Sequence, residues 1–509
     1  MAWWAVVLIV IGVILFATFV YDLVQRRHAI LRNFPVVGHL RYALETIGPE
    51  LRQYIVTDNN EERPFSRDQR RWVYASAKKE NPYFGFGTDD DIDRPGHIII
   101  KHAAFPESRE SHNVPLPSAK VMGEWRGRRQ AFRPESLVNI SAMSFGSLSG
   151  RAIEALNKGA AIAGCWHNTG EGGVSKHHRQ GGDLVFQLGT AYFGARNSDG
   201  SFCLDKLVDN VESAPVKAVE IKLSQGAKPG LGGLLPGAKV NAEIAEARDV
   251  EIGQTVASPA CHTAFDGVPS MVEFIETVAD ATGKPVGIKS AVGQMSFWEE
   301  LAEHMSESGR GPDFITIDGG EGGTGAAPLV FANHVAFPFQ TAMANVFGVF
   351  AAADLHQKVT FVGSGKLGFP GNAIAAMALG CDVVNVGREA MLALGCIQAQ
   401  KCHTDHCPVG VATQNKRLVR GLDPASKSVR TANYIDSLRG DMLRVSFAGG
   451  AVHPALLPMS AVDIIDTNRA AVPITSHFGL KPQLHRLSDN DIQTINAIMN
   501  EVAPAPGGA

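Results

Sequence analysis

The chain has 509 residues, room for one barrel-sized domain of roughly 250–300 residues with flanking parts. Charged residues make up 19% and hydrophobic ones 45%, which excludes a disordered chain, and 47 basic against 51 acidic residues (net −4) give no electrostatic reason for a nucleic-acid partner. Seven cysteines, an odd number scattered over a long chain, argue against a disulfide framework and for a reducing compartment.

The first predicted element is AWWAVVLIVIGVILFATFVY, Ala2 to Tyr21, which carries no charge. A run of about 20 apolar residues is long enough to cross a bilayer as a helix. Trp3 and Trp4 stand where one interface would lie and Tyr21 near the other. A signal peptide is the competing reading, but neither a basic leader nor a small-residue cleavage site is clear. Arg26, Arg27 and Arg32 follow, so the positive-inside rule predicts a single-pass anchor in the cell membrane with the bulk of the chain in the cytoplasm. Residues 22 to about 130 are rich in Arg, Asp and Pro, show no steady period, and read as an irregular lead-in.

From Leu137 short apolar runs alternate with segments of helical spacing, such as SGRAIEALNKGAAIAG and SMVEFIETVADATG. The runs are 137–143, 165–170, 216–223, 252–258, 285–290, 313–320, 359–365 and 382–388. Eight such units predict an α/β fold, a (β/α)8 TIM barrel, with an open doubly wound sheet as the alternative. In a barrel, functional side chains gather at the C-terminal ends of the strands. Those ends carry Ser144, Asn168, Lys222, Ser258, Lys289, Asp318, Gly363 and Arg388, with Lys222 closing the third strand and Lys289 the fifth. Isolated Cys165, Cys203, Cys261 and Cys381 read as small buried side chains.

Two later stretches carry chemistry. In FVGSGKLGFPGNAIAAMALGCDVVNVGRE one strand ends in Gly363-Ser364-Gly365 and the next in Gly387-Arg388. As strands seven and eight of a barrel they form the usual place for a phosphate, with backbone N–H donors and the Arg388 charge; two ordinary tight turns are the alternative. In GCIQAQKCHTDHCPVGVATQ, Cys396, Cys402 and Cys407 are spaced C-x5-C-x4-C, with His403 and His406 between. Zinc with a histidine as fourth ligand, inert thiols and an iron–sulfur cluster are all compatible with that spacing.

The cysteine stretch resembles the cluster loop of glutamate synthases, in which the same run ahead of Pro-Val-Gly-Val-Ala-Thr-Gln holds a [3Fe-4S] cluster beside FMN. SAMSFGSLS, HNTGEGG, IKLSQGAKPGLGGLLPGAKV and DGGEGGTGAAP resemble the FMN-and-cluster domain of that family, in the same order, over roughly residues 137–414. The resemblance implies FMN and a [3Fe-4S] cluster as cofactors. It places Ala142, Met143, Ser144 and Asn168 along the flavin, Gly363, Ser364, Gly365, Gly387 and Arg388 at its phosphate, and Lys222 and Lys289 near its charged edge or the substrate carboxylates. Gln225 and Lys228 would face 2-oxoglutarate, Glu171 would help couple the arrival of ammonia to synthesis, and Cys396, Cys402 and Cys407 would hold the cluster. Lys222, Glu171, Gln225 and Lys228 are the expected catalytic set.

The expected organisation is an anchor over 1–25, a juxtamembrane and lead-in segment over 26–130, an FMN-binding barrel with the iron–sulfur loop over 131–420 and a helical extension over 421–509. The expected reaction is reductive synthesis of L-glutamate from 2-oxoglutarate and ammonia, with electrons passing from ferredoxin or another donor through the cluster to FMN. The family's N-terminal catalytic Cys is not met here, since no cysteine precedes Cys165. The expected nitrogen source is therefore free ammonia or a separate glutaminase subunit. No Rossmann site for NAD(P)H is expected. Two other readings are an FMN and iron–sulfur oxidoreductase of the same fold with another substrate, exchanging electrons with a membrane quinone, and a tethered electron-transfer protein with a vestigial site. Retention of Lys222, Gln225, Lys228 and Glu171 speaks against the last.

Overall fold

The computed structural model describes residues 2–25, 28–80, 83, 85–111, 114–481 and 484–504. Arg26 and Arg27 of the basic run, and residues 505–509 of the C-terminal tail, lie outside them. The chain divides into two units, residues 1–71 and 72–509.

In the first unit the uncharged run forms a helix, Trp3–Val24, long and apolar enough to cross a membrane. Its one acidic residue, Asp22, is buried and accepts a hydrogen bond from the Val36 N–H at 2.8 Å. A second helix, Gly38–Leu51, follows.

The second unit is built on a closed parallel barrel, as the alternation of strands and helices predicts. Its strands are β1 (Val138–Ile140), β2 (His167–Asn168), β3 (Leu184–Leu188), β4 (Val216–Lys222), β5 (Val286–Ser290), β6 (Phe314–Asp318), β7 (Thr360–Ser364) and β8 (Val383–Val386). Each pairs in parallel with the next, and β8 returns to β1 with Asn385 opposite Asn139. Closure rules out the open doubly wound sheet.

One expected strand is corrected. Residues 252–258 are no part of the barrel. Only Val256–Ala257 is extended there, pairing antiparallel with Leu234–Leu235 in the long connection after β4. Most of the stretch is exposed, and a barrel strand must be covered on both faces. The missing strand is LVFQL, Leu184–Leu188, buried throughout. Lys222 therefore ends the fourth strand, not the third, and Ser258 lies in a connection, not at a strand end. Of the isolated cysteines, Cys165 and Cys381 are buried, Cys203 is half-buried and Cys261 is exposed.

Segment 114–136 closes the N-terminal mouth of the barrel. Met122 and Phe132 exchange backbone hydrogen bonds at 2.9 and 3.2 Å. Their side chains join Trp166, Val185, Ala218, Phe314, Val362 and Val383 in one apolar cluster. Around it lie buried charges. Lys120 Nζ donates to the His356 and Val359 carbonyls at 2.7 and 2.9 Å and to Asp382 Oδ2 at 2.9 Å. Arg128 bridges Asp313 and Glu276 at 3.0 and 2.7 Å. Asp313 and Asp382 stand one residue ahead of β6 and β8 and also accept backbone N–H groups of Val286 and Phe361.

The remainder of the unit braces the barrel. Helix Pro424–Ala448 packs along helix Gly150–Ala163, and strand Ile98–Ile100 pairs antiparallel with Val462–Ile465, which pairs with Ala471–Pro473.

Removing one partner of a buried ion pair costs about 3–5 kcal/mol, because the other charge is left unpaired. We expect Asp382→Ala to lower the urea stability of the purified chain by that order. Lys120→Met combined with Asp382→Asn should be less damaging than Asp382→Ala alone, measured as the shift in the unfolding midpoint.

Candidate active site

Side chains two apart on a strand share a face, and in a closed barrel one face is the interior. On β4 this puts Ala218 at the floor, Glu220 above it and Lys222 at the rim; on β6 the series is Phe314, Thr316 and Asp318. The middle layer is polar. Glu220 Oε1 accepts from Asn168 Nδ2 at 2.8 Å and Gln187 Nε2 at 2.7 Å, and its Oε2 accepts from Thr316 Oγ1 at 2.6 Å.

Above this layer opens a cavity of about 240 Å3 at the C-terminal ends of the strands. Its wall includes Ala142, Met143, Ser144, Glu171, Lys222, Gln225, Lys228, Lys289, Ser364, Gly365, Gly387, Arg388 and Cys402. Lys222 is tied on two sides: its Nζ donates to Gln225 Oε1 at 2.6 Å and pairs with Glu171 Oε1 at 3.0 Å. Burial pushes the Glu171 carboxyl up, but Lys222, then Lys228 and Arg248, outweigh it and hold the group below its ordinary value. Lys228 is pushed down by burial and by the neighbouring Lys222. Lys289 pairs with Asp318 at 3.4 Å; burial opposes its charge, yet Asp318 and Glu220 hold it above its usual value. His262 donates from Nε2 to the Lys222 carbonyl at 2.9 Å, and burial lowers it to about 4, so it stays neutral near pH 7.

The pairing of β7 with β8 brings the Ser364–Gly365 and Gly387–Arg388 ends side by side. Arg388 reaches the carbonyl of Glu321 in the glycine-rich connection after β6. A Cβ at Gly323 would stand 2.4 Å from Arg388 Cδ, so only glycine lets the arginine pass. Gly365 holds φ +148°, open to glycine and strained for other residues.

Among the expected site residues, Asn168 sits beneath the cavity on Glu220, and Gly363 packs behind β7, where a Cβ would meet Leu367 and Cys381 at 2.7 and 2.8 Å. Cys396 and Cys407 do not line the cavity, whereas Cys402 and His403 do. The cysteine loop is fastened by side chains from distant segments. Tyr74 Oη donates to the Cys396 carbonyl at 2.7 Å, and Lys239 Nζ to those of Cys402 and Ala412 at 3.0 and 3.3 Å. Among the described residues no group of three or more His, Cys, Asp or Glu side chains is gathered to hold an ion.

Sequence reading missed Glu220, Gln187, Thr316, Arg248 and His178. The signal for Glu220 was present: an acidic residue two before Lys222 inside an apolar strand. His178 gave no such sign. It accepts the Ser175 N–H on Nδ1 at 3.2 Å and donates from Nε2 to the Met143 carbonyl at 3.0 Å, which fixes the backbone of the cavity wall.

Residues 110–450 match the family model described as a conserved region in glutamate synthase. A glutamate synthase large subunit-like protein of Bacillus subtilis is 40% identical over 88% of this chain and 92% of its own length. The archaeal-type glutamate synthase [NADPH] of Thermotoga neapolitana is 34% identical over 66% of this chain, and the archaeal glutamate synthase [NADPH] of Methanocaldococcus jannaschii 34% over 62%. The chain spans 62% and 59% of those two relatives. Among solved structures, a flavocytochrome b2 variant with pyruvate bound aligns at 15% identity and a TM-score of 0.45, over 88% of this chain and 99% of that one. With the family region covering most of its second unit and its cavity, the chain belongs to the glutamate synthase family.

Proposed function

We propose that the chain is an FMN and iron–sulfur oxidoreductase that forms L-glutamate from 2-oxoglutarate and ammonia, held by Trp3–Val24 at the cell membrane with its second unit in the cytoplasm. The observation that carries this reading is one cavity with an arginine–glycine end suited to a phosphate and, on its wall, the linked group Lys222, Glu171 and Gln225 with Lys228.

The residues present fit FMN. Ser364, Gly365, Gly387 and Arg388 would hold its phosphate, the space at Gly323 being what admits the Arg388 stem. Lys289, kept charged by Asp318, would sit at the edge where reduced flavin carries negative charge. When bound, FMN supplies a hydride for the imine carbon made from 2-oxoglutarate and ammonia. The chain's own groups do the rest. Lys228 and Lys222 are the cations for a dicarboxylate. Gln225, whose Oε1 accepts from Lys222, has its Nε2 donors to offer a carboxylate oxygen. Glu171, ionised at neutral pH, favours the approach of ammonium.

Three thiols in one loop are a donor set for a [3Fe-4S] cluster, and burial, then Cys407, pushes the Cys402 thiol up. All three are not drawn into one coordination sphere here, and no step is routed through a cluster. Ferredoxin or another donor would reduce the enzyme, and ammonia would arrive free or from a separate glutaminase subunit.

The test is chemically reduced, purified protein assayed for L-glutamate from 2-oxoglutarate with ammonium and, separately, with glutamine. Product with ammonium supports the reading; product with neither points to an oxidoreductase of the same fold with another substrate. Lys228→Met should raise KM for 2-oxoglutarate about 10- to 150-fold, the loss of one charge-assisted contact of roughly 1.5–3 kcal/mol. Arg388→Met should weaken FMN binding by about the same factor and leave riboflavin binding nearly unchanged; equal loss for both would remove the phosphate assignment. Anaerobically purified protein should carry about three irons per chain with inorganic sulfide, and Cys402→Ser should lose them. Zinc without iron would overturn the cluster.

A further inference from the structure

The first unit carries an apolar face that a spanning helix alone does not explain. Beyond Val24 the chain forms a short helix, Ala29–Asn33, turns, and enters helix Gly38–Leu51. One side of that helix is fastened to what precedes it. The buried Asp22 accepts the Val36 N–H at 2.8 Å, and its Oδ1 lies 3.0 Å from His39 Nε2. The Tyr42 ring stands edge-on to His28 at 5.4 Å.

A different side is left open. Leu40, Leu44, Ile47 and Leu51 recur at i, i+4, i+7 and i+11, and at about 100° per residue they fall within an arc of about 60°. They are 62%, 52%, 49% and 39% exposed. Val37 before them and Ile55 after them extend the stripe, 71% and 72% exposed. Of the charges that flank it, Arg41 and Glu45 pair with each other at 2.8 Å and do not cover it.

Soluble surfaces rarely leave so continuous an apolar stripe to water. Its position says what covers it. The anchor helix is itself apolar and exposed along its length, and the last of that surface, Tyr21, Leu23 and Val24, lies beside the Asp22 latch from which the stripe departs. A helix latched to the end of a spanning helix has the membrane interface within reach, and an apolar arc backed by a polar face is what an in-plane helix presents to acyl chains. We propose that helix Gly38–Leu51 lies in the bilayer interface with Leu40, Leu44, Ile47 and Leu51 among the acyl chains. The partner is lipid, recognised by apolar contact, since the neighbouring Arg41 and Glu45 cancel. The proposal rests on the spanning role given above to Trp3–Val24.

The test uses the full chain in phosphatidylcholine vesicles whose acyl chains carry bromine, a short-range quencher of tryptophan. Leu44→Trp, and independently Ile47→Trp, add one fluorophore on the stripe; Glu45→Trp adds one on the flank. We expect the emission added by either stripe variant to fall by about half or more in brominated vesicles and to resist aqueous acrylamide, with the reverse for Glu45→Trp. Quenching of the parent, through Trp3 and Trp4, reads the anchor by itself. A quenched parent with an unquenched stripe increment overturns this proposal alone. An unquenched parent overturns the spanning helix and this proposal with it. A stripe increment shielded from both bromine and acrylamide would put protein on the stripe, a second copy of the chain included, and would also overturn it.

Discussion

A carboxylate in the middle of the barrel is the constraint around which the second unit is arranged. Glu220 is buried among side chains of other strands, where an unpaired charge costs several kcal/mol. It is tolerable because β2, β3 and β6 each supply a donor to it: Asn168, Gln187 and Thr316. The same three bonds fix which residues of four strands face inward and at what height. A slip of β4 by one residue would turn Glu220 and Lys222 outward together and push Val219 and Ile221 into the polar layer. The interior is thus stacked as an apolar floor, a polar middle and a charged rim, and the rim inherits its register from the middle. Lys289 feels this directly, since Glu220 is second only to Asp318 among the groups that keep it charged.

The rim residues work as a linked set. Lys222 has a strand beneath it, Glu171 and Gln225 on its Nζ, and His262 on its carbonyl. Its position is determined from both main chain and side chain, which is what a group that holds a ligand in one orientation requires. At the other end, Arg388 is placed by a helix start, a carbonyl and the absence of a side chain at Gly323. These two placements use different physics, hydrogen bonding in one and a steric gap in the other. A substitution at Gly323 would act on Arg388 without touching its charge.

Much of this was legible in the sequence, and the limits have physical causes. The apolar runs ending in Lys222, Lys289, Asp318, Gly363–Gly365 and Arg388 gave the barrel and its rim because strand ends in a parallel sheet are chemically distinct from strand middles. Leu184–Leu188 leaves a weaker trace because the run is short and its Gln187 looks like an interruption until Glu220 is seen beside it. The stretch 252–258 was mistaken for a strand because β-rich composition does not reveal whether a segment has neighbours on two sides. Arg248 was invisible for a related reason. It closes the short helix Ala242–Arg248 inside a long connection, and only the fold carries that helix end to the cavity. Spacing alone marks the cysteine loop, yet the ties that hold it, Tyr74 and Lys239, lie 322 and 163 residues away from their partners and leave no local trace.

The buried charges around the apolar floor have a consequence for how the protein is made. Lys120 and Asp382 are 262 residues apart, and Asp382 stands at the entrance to the last strand. On a ribosome the lysine emerges long before its acceptors at His356, Val359 and Asp382 exist. Until then its ammonium must stay in water, and the hairpin around Met122 and Phe132 has no completed barrel to plug. Every strand must leave the exit tunnel before the floor can shut, so the long-range closure comes at the end of synthesis and not along the way. A nascent chain stalled before Asp382 would expose both an unsealed barrel and its apolar plug, and such intermediates are the ones a cell's chaperones must shelter.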